Sequence, residues 1–398
     1  RFLAGLSICF FSTILQAGGG WTFDQRIAVS AEPQAGVYHH LDGAGRKHIA
    51  LSTDTVAVIW EDDHSADPQV YLALKQATDD SFSAPLQISS GKEAYEPAIA
   101  GLDDNRFVAL WEQDAAVYAR SINNRRLSAP LKLSTASSSH VTVGSNGQQL
   151  FAAWREQRGS GWSLWVAALR FEANGQLSMH SSARVESNDL ATPILFPTLA
   201  VNEEGLTIAW EDRSDGHTRL KFSLSTDNGR SFSAPAFLNE FYSGRNEYDK
   251  GNGVTRVSLA SFAGNEIVSA WMDKRDGSKG YAIYAALGSG DSFGPNEKVQ
   301  GRSGDELPHY NPATAGNRAG GFVIAWDDFR AGDSDIWLSR NNEEWGQEMA
   351  PATAAGKGEQ THASIALDEQ GGLHLVWIER AITDAPTQLW YSYGNKIE

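Results

Sequence analysis

The residues with the most chemical potential stand where an otherwise self-repeating chain stops repeating itself. They are Tyr248 and Asp249 with Arg256, and His309 and Tyr310 some fifty residues on, together with His39, Tyr95 and His362. Histidine and a carboxylate can exchange protons with a bound molecule, and tyrosine adds a third proton donor. Arginines follow recurring acids at Asp273/Arg275 and Asp328/Arg330, and a guanidinium grips a carboxylate or sulfate through two parallel hydrogen bonds. The sequence therefore suggests one pocket. Tyr248, Asp249, His309 and Tyr310 would be its catalytic groups, and Arg256, Arg275, Arg330, His39, Tyr95 and His362 would contact the ligand. A plainer reading of the arginines is open too: each pairs with its neighbouring acid and holds its own turn. His39, His40, His309 and His362 lack the local spacing of a ligand motif, so neither a metal nor a cofactor is expected.

The elements that carry these residues are set by seven tryptophans, Trp60, Trp111, Trp154, Trp210, Trp271, Trp326 and Trp377, spaced 43 to 61 residues apart. Each closes a short apolar run such as VAVIW, FVALW or LTIAW. A run precedes it (PAIAGLDDNR, PTLAVNEEG), a third follows (QVYLAL, SLWVAAL, YAIYAAL), and a fourth is often opened by a serine–proline phrase (SFSAPLQIS, RLSAPLKLS). Runs of β-branched and aromatic residues between Gly, Asn and Asp turns read as strands. Four strands per period make a propeller blade, so the expected fold is all-β, a seven-bladed β-propeller of four-stranded blades. The seventh period stops after its third strand, while WTFDQRIAVS near the start is an orphan with the spacing of a fourth. Residues Arg26–Ser30 should pair with Gln388–Tyr393 and close the ring, removing an exposed sheet edge.

In such a blade the loop before the first strand and the loop after the second share one face of the ring. The polar loops 239–256 and 301–312 precede neighbouring blades and should overhang one sector of the channel mouth, with Arg275 and Arg330 at its floor. Long loops on a rigid ring are where function tends to sit.

Residues 1–20, RFLAGLSICFFSTILQAGGG, differ in kind: an Arg, an apolar run, then small residues at Ala17-Gly18. They read as a secretory signal peptide (1–17 cleaved), leaving 21–398 as one domain in a secreted or periplasmic protein, with no membrane span after processing. The only cysteine, Cys9, lies inside that segment, so disulfides and thiol chemistry are excluded. A net charge of −16 argues against nucleic acid as a partner.

One phrase carries a family resemblance. Ser225-Thr226-Asp227-Asn228-Gly229-Arg230-Ser231-Phe232 has the S-x-D-x-G-x-x-F pattern of the Asp-box, or bacterial neuraminidase repeat, with partial copies at ATDDSF (77–82) and GSGDSF (288–293). The chain thus resembles the sialidase-like superfamily of propellers. The resemblance implies the propeller fold and a carbohydrate ligand. True sialidases also carry an arginine triad and an F/Y-R-I-P phrase in the first blade, where this chain reads GVYHHLDGAGRKHIAL, and their rings have six blades; sialidase activity is not expected. Three classes stay open: an enzyme on an acidic glycan (hydrolase or lyase), a non-catalytic binder of carbohydrate or another small acidic ligand, and a monomeric scaffold for a protein partner.

Overall fold

The computed structural model describes residues 20–397 apart from 42–44, 66, 189–192, 215–216, 241–252, 276–279, 290, 302–306 and 341–346. Among the described residues every regular element is a strand. The strands form seven antiparallel sheets, one per tryptophan period. Blade 1 is built from His39–His40 and Ile49–Ser52 (innermost), Thr55–Asp62, Gln69–Gln76 and Leu86–Gln87. The innermost strands of blades 2 to 7 are Tyr95–Gly101, Ser138–Ser145, Ile194–Val201, Thr255–Phe262, His309–Gly316 and Glu359–Leu367. Each is followed by the strand holding its tryptophan.

The tryptophans are the mortar between blades. Seven buried apolar clusters occur, one at each blade-to-blade interface, and each contains one of the seven. Trp60, Trp111, Trp210, Trp271, Trp326 and Trp377 are all less than 2% exposed. The cluster around Trp60 joins Val58 of blade 1 to Val376, Leu389 and Tyr391 of blade 7, so the ring is shut.

Closure follows the sequence reading. Ile27 pairs with Tyr391 and Ala28 with Trp390, and the Val29 amide donates to the Leu389 carbonyl at 2.9 Å. The N-terminal segment also pairs Trp21–Phe23 with Gly394–Lys396, an extension the spacing did not suggest.

The outer edges are protected. The fourth strands of blades 1, 2, 4, 5 and 6 are two-residue pieces, and a proline in the phrase (Pro85, Pro130, Pro235) cannot donate to a ladder. Its serine takes over the pairing: Ser83, Ser128 and Ser233 hydroxyls accept from the amides of Leu74, Ser121 and Leu224 at 3.0–3.1 Å. The segment Ser225–Phe232 forms the tight turn its composition requires. Asp227 Oδ1 accepts from the amides of Arg230 and Ser231, and Gly229 sits at φ 73°.

Candidate functional site

At least one acid stands in the two positions after each tryptophan, and strand alternation sends the first and second positions to different places. The second acid turns back into its own blade. Asp62, Asp273 and Asp328 accept the indole N–H of their tryptophans at 2.7–3.0 Å, and also the amides of His64, Arg275 and Arg330. Arg275 and Arg330 are spent there. Arg275 donates to Asp273 and lies over the Tyr284 ring at 4.1 Å. Arg330 donates to Asp328, pairs with Glu348 at 2.6 Å, and covers Trp337 at 3.8 Å. Holding their own turns is what these arginines do, and a floor for a pocket in blades 5 and 6 is not formed by them.

The first acid points along the channel and clamps the next blade. In blades 2 to 7 the innermost strand carries a bulge, and one residue of each bulge has a left-handed backbone: Glu96, His140, Phe196, Arg256, Asn311 and His362, with φ between 49° and 60°. Glu61 accepts the Glu96 amide at 3.0 Å, Glu112 the His140 amide at 2.5 Å, Glu211 the Arg256 amide at 2.7 Å, and Asp327 the His362 amide at 2.9 Å. Blade 3 has Arg155 in this position, and there His140 Nδ1 accepts the Phe196 amide at 2.9 Å instead. Burial pushes the carboxyls of Glu112 and Glu211 up from their ordinary values, and that of Asp327 up to about 7.

Blade 1 replaces the bulge by an insertion that enters the channel. Its Gly45 carbonyl accepts from Thr198 of blade 4, and Arg46 Nε donates to the Val141 carbonyl of blade 3 at 2.9 Å. Lys47 Nζ donates to the Thr314 carbonyl of blade 6, and the His48 amide to Ser364 of blade 7 at 3.0 Å. Residues 45–48 thus plug the ring at its waist. Gly45 is obligatory: at φ 74°, an added Cβ would lie 2.4 Å from the Val257 carbonyl oxygen. The Arg46 side chain, 2% exposed, pairs with Glu96 at 2.5 Å and approaches Glu112 at 3.6 Å.

Above the plug the mouth has two sectors. Between blades 7, 1 and 2 lies a cavity of about 360 Å³ lined by Tyr38, His40, Glu61, Glu96, His362 and Arg380, among others. Arg380 is tied to Glu359. On the other side three successive bulge residues meet: His140 stacks on Phe196 (ring centroids 4.3 Å apart), and Arg256 lies over the same Phe196 ring at 4.2 Å.

The remaining sequence candidates fall as follows. His362 lines the cavity and Arg256 caps the stack. His309 is 0% exposed, with Nε2 3.1 Å from Asp328 Oδ2; it braces the turn and cannot touch a ligand. His39, its counterpart in blade 1, is among the residues lining the cavity; its Nδ1 is hydrogen-bonded with the Thr387 hydroxyl, and burial pushes it down to about 4, hence neutral. Tyr310 packs edge-on against Tyr281 and Phe329. The Tyr95 hydroxyl donates to Glu93 at 2.8 Å, which pushes it up to about 12. The structure therefore does not gather His309 and Tyr310 with Arg256. Tyr248 and Asp249 lie outside the described residues. Two sets went unread in the sequence: the first acids (Glu61, Glu112, Glu211, Asp327) and the plug (Arg46, Lys47). Strand alternation after each tryptophan could have found the first set. Among the described residues no cluster of His, Cys, Asp or Glu is placed to hold a metal, and no helix is long and apolar enough to cross a membrane.

No protein-family model and no curated protein sequence matches the chain. Solved structures do. An ulvan lyase described as a new family of polysaccharide lyase, PL25, superposes with TM-score 0.60 at 9% identity, over 93% of this chain and 95% of its own. The polysaccharide lyase Uly1 gives 0.58 at 9%, over 94% and 99%. An α-L-arabinofuranosidase from Fusarium graminearum gives 0.51 at 12%, over 93% and 97%. The chain shares their propeller fold. At these identities the likeness is one of architecture.

Proposed function

We propose that this chain acts on a carbohydrate at the channel mouth, breaking a glycosidic link in the cavity between blades 7, 1 and 2. The observation that carries the proposal is the set of left-handed bulge residues. Such a backbone costs a residue with a Cβ roughly 1–2 kcal/mol, and glycine is the residue that escapes it. Yet Glu96, His140, Phe196, Arg256, Asn311 and His362 stand there, and Glu96 and His362 line the cavity. Strain retained with reactive side chains is a mark of a working site.

Within the cavity, Glu61 and Glu96 are the carboxylate pair that glycoside cleavage calls for, and His40 and His362 supply imidazoles for proton transfer. Tyr38 offers an aromatic face to a sugar ring. The volume suits one or two sugar units of a longer chain. The architectural neighbours support the substrate class, since one is described bound to a glucuronate–sulfated rhamnose unit. An acidic glycan is the finer form of the proposal, supported by Arg380 in the cavity lining, whose charge is shared with Glu359, and by Arg256 in the facing sector. The Asp-box at 225–232 supports kinship with the sialidase-like propellers, and the apolar segment 1–17 supports a secreted or periplasmic location.

A second reading, a carbohydrate-binding ring without turnover, is favoured by one fact: Glu61 and Glu96 already have partners, the Glu96 amide and Arg46. A panel of neutral and uronate-containing glycans separates the two. Turnover is read as new reducing ends, and as ultraviolet absorbance if elimination leaves a double bond. Turnover lost in Glu96→Gln and Glu61→Gln, with binding kept, supports the enzyme. Binding without turnover supports the second reading, and neither removes the site.

A further inference from the structure

The plug divides the channel, and its other side opens on the opposite face of the ring. That lower chamber, about 320 Å³, is lined by the lower halves of the seven innermost strands, with Lys47 at its closed end. At the register position of Thr314 the other blades carry Ile49, Ile99, Val143, Leu199, Leu259 and Ile365. Thr314 is the one polar residue of that ring. Its carbonyl accepts from Lys47 Nζ, and its hydroxyl lies 3.5 Å from the same atom and 2.9 Å from Ser258 Oγ.

An ammonium has three protons, and Thr314 supplies at most two acceptors. Among the described residues no carboxylate lies within ion-pair distance of Lys47; Arg46 beside it takes Glu96 and Glu112 upward. Burial without a counter-ion pushes the Lys47 amine down to about 8. Lys47 is half-buried; a cation partly withdrawn from water and left without its opposite charge is costly to keep, and a bound anion would offset that cost.

We propose that the lower chamber is a second ligand site, in which Lys47 binds the carboxylate of a small monocarboxylic acid. Other charges on the chamber, Asp103, Glu203, Glu369 and Arg318, stand exposed on the turns at its open end, and Arg318 is matched to Asp103 at 3.8 Å. This net-acidic rim opposes multiply charged anions, while one ammonium matches one carboxylate. The small residues below Lys47 (Ala50, Ala100, Ala200, Ala260 and Ala315) leave room for a short carbon body. The site stands at the other end of the channel from the carbohydrate cavity and does not depend on it.

The test is calorimetric titration of the whole chain with acetate and butyrate, against acetamide and sulfate, at fixed ionic strength. The wild type should bind one carboxylate ion per chain saturably, and acetamide and sulfate not at all. Lys47→Met should weaken binding about tenfold or more. A wild-type arm stands without any variant: the ammonium form is the one that binds, so affinity should be flat below about pH 8 and fall by up to about tenfold per unit above it. Absence of saturable carboxylate binding, equal binding by Lys47→Met, or affinity unchanged across pH 8 overturns the proposal. Sulfate bound as tightly as acetate overturns the ligand class. A Lys47→Met variant that is merely less stable, with no carboxylate binding by the wild type, would make Lys47 a structural brace.

Discussion

Arg46→Met removes the charge that joins the plug to the mouth, and its cost can be worked from the contacts. The guanidinium is 2% exposed, with Glu96 at 2.5 Å, Glu112 at 3.6 Å and the Val141 carbonyl at 2.9 Å. Glu96 is exposed enough for water to replace its partner. Glu112 is not: its side chain is 16% exposed, and deleting one member of a buried pair costs about 3–5 kcal/mol because the other charge is stranded. That is a large part of the roughly 5–15 kcal/mol a domain has. Burial already holds the Glu112 carboxyl above its ordinary value, and Arg46 is the strongest opposing influence, so the variant's Glu112 should rise further. A carboxyl whose folded pKa exceeds its unfolded one destabilises at high pH and ceases to do so as pH falls through the folded value. Urea unfolding of wild type and variant at about pH 5 and about pH 8 should show a deficit that shrinks on acidification. Arg46→Met/Glu112→Gln should recover about 1–3 kcal/mol of it. A deficit below about 1 kcal/mol, or one unaffected by both pH and the second substitution, would refute the reasoning.

Gly45→Ala should cost at least about 2–3 kcal/mol, since it adds left-handed strain to a backbone clash with Val257; thermal unfolding reads it. Asp327, with a folded pKa of about 7 against about 4 unfolded, holds its proton in the native state across that window, so stability should fall by about 1 kcal/mol per unit as pH rises from 4 to 7. Asp327→Asn should flatten the slope, as unfolding at several pH values will show. Deleting residues 21–30 strips the pairing from strand Gln388–Lys396 and should produce aggregation, seen by light scattering; a monodisperse, equally stable product counts against clasp closure.

How much of this was legible follows from what repetition can reveal. Tryptophan spacing alone gave seven blades and their order, because each Trp must fill the same wedge between neighbours. The missing fourth strand after Gln388–Lys396 likewise pointed to WTFDQRIAVS. The site was harder. Of the residues that break the repeat, His362 lines the cavity and Arg256 lies over Phe196. His309 also breaks it, yet it is a buried brace of Asp328, and residue type cannot tell an imidazole turned inward from one turned outward. The acids Glu61, Glu112, Glu211 and Asp327 went unread because they recur from blade to blade and so did not stand out; they brace the bulges at the mouth. The plug was invisible because its contacts, from Gly45 to Thr198 and from Lys47 to Thr314, join residues more than a hundred apart with no local pattern.

The claim that the mouth's strained side chains serve a carbohydrate is tested most directly by His362→Asn. Asparagine tolerates a left-handed backbone better than most residues, so the exchange removes the imidazole from the cavity without adding strain. Turnover of the glycan panel and the thermal midpoint are measured together on wild type and variant. Turnover reduced by about tenfold or more with an unchanged or slightly raised midpoint is the predicted result. Full turnover on a substrate that the wild type cleaves would contradict it.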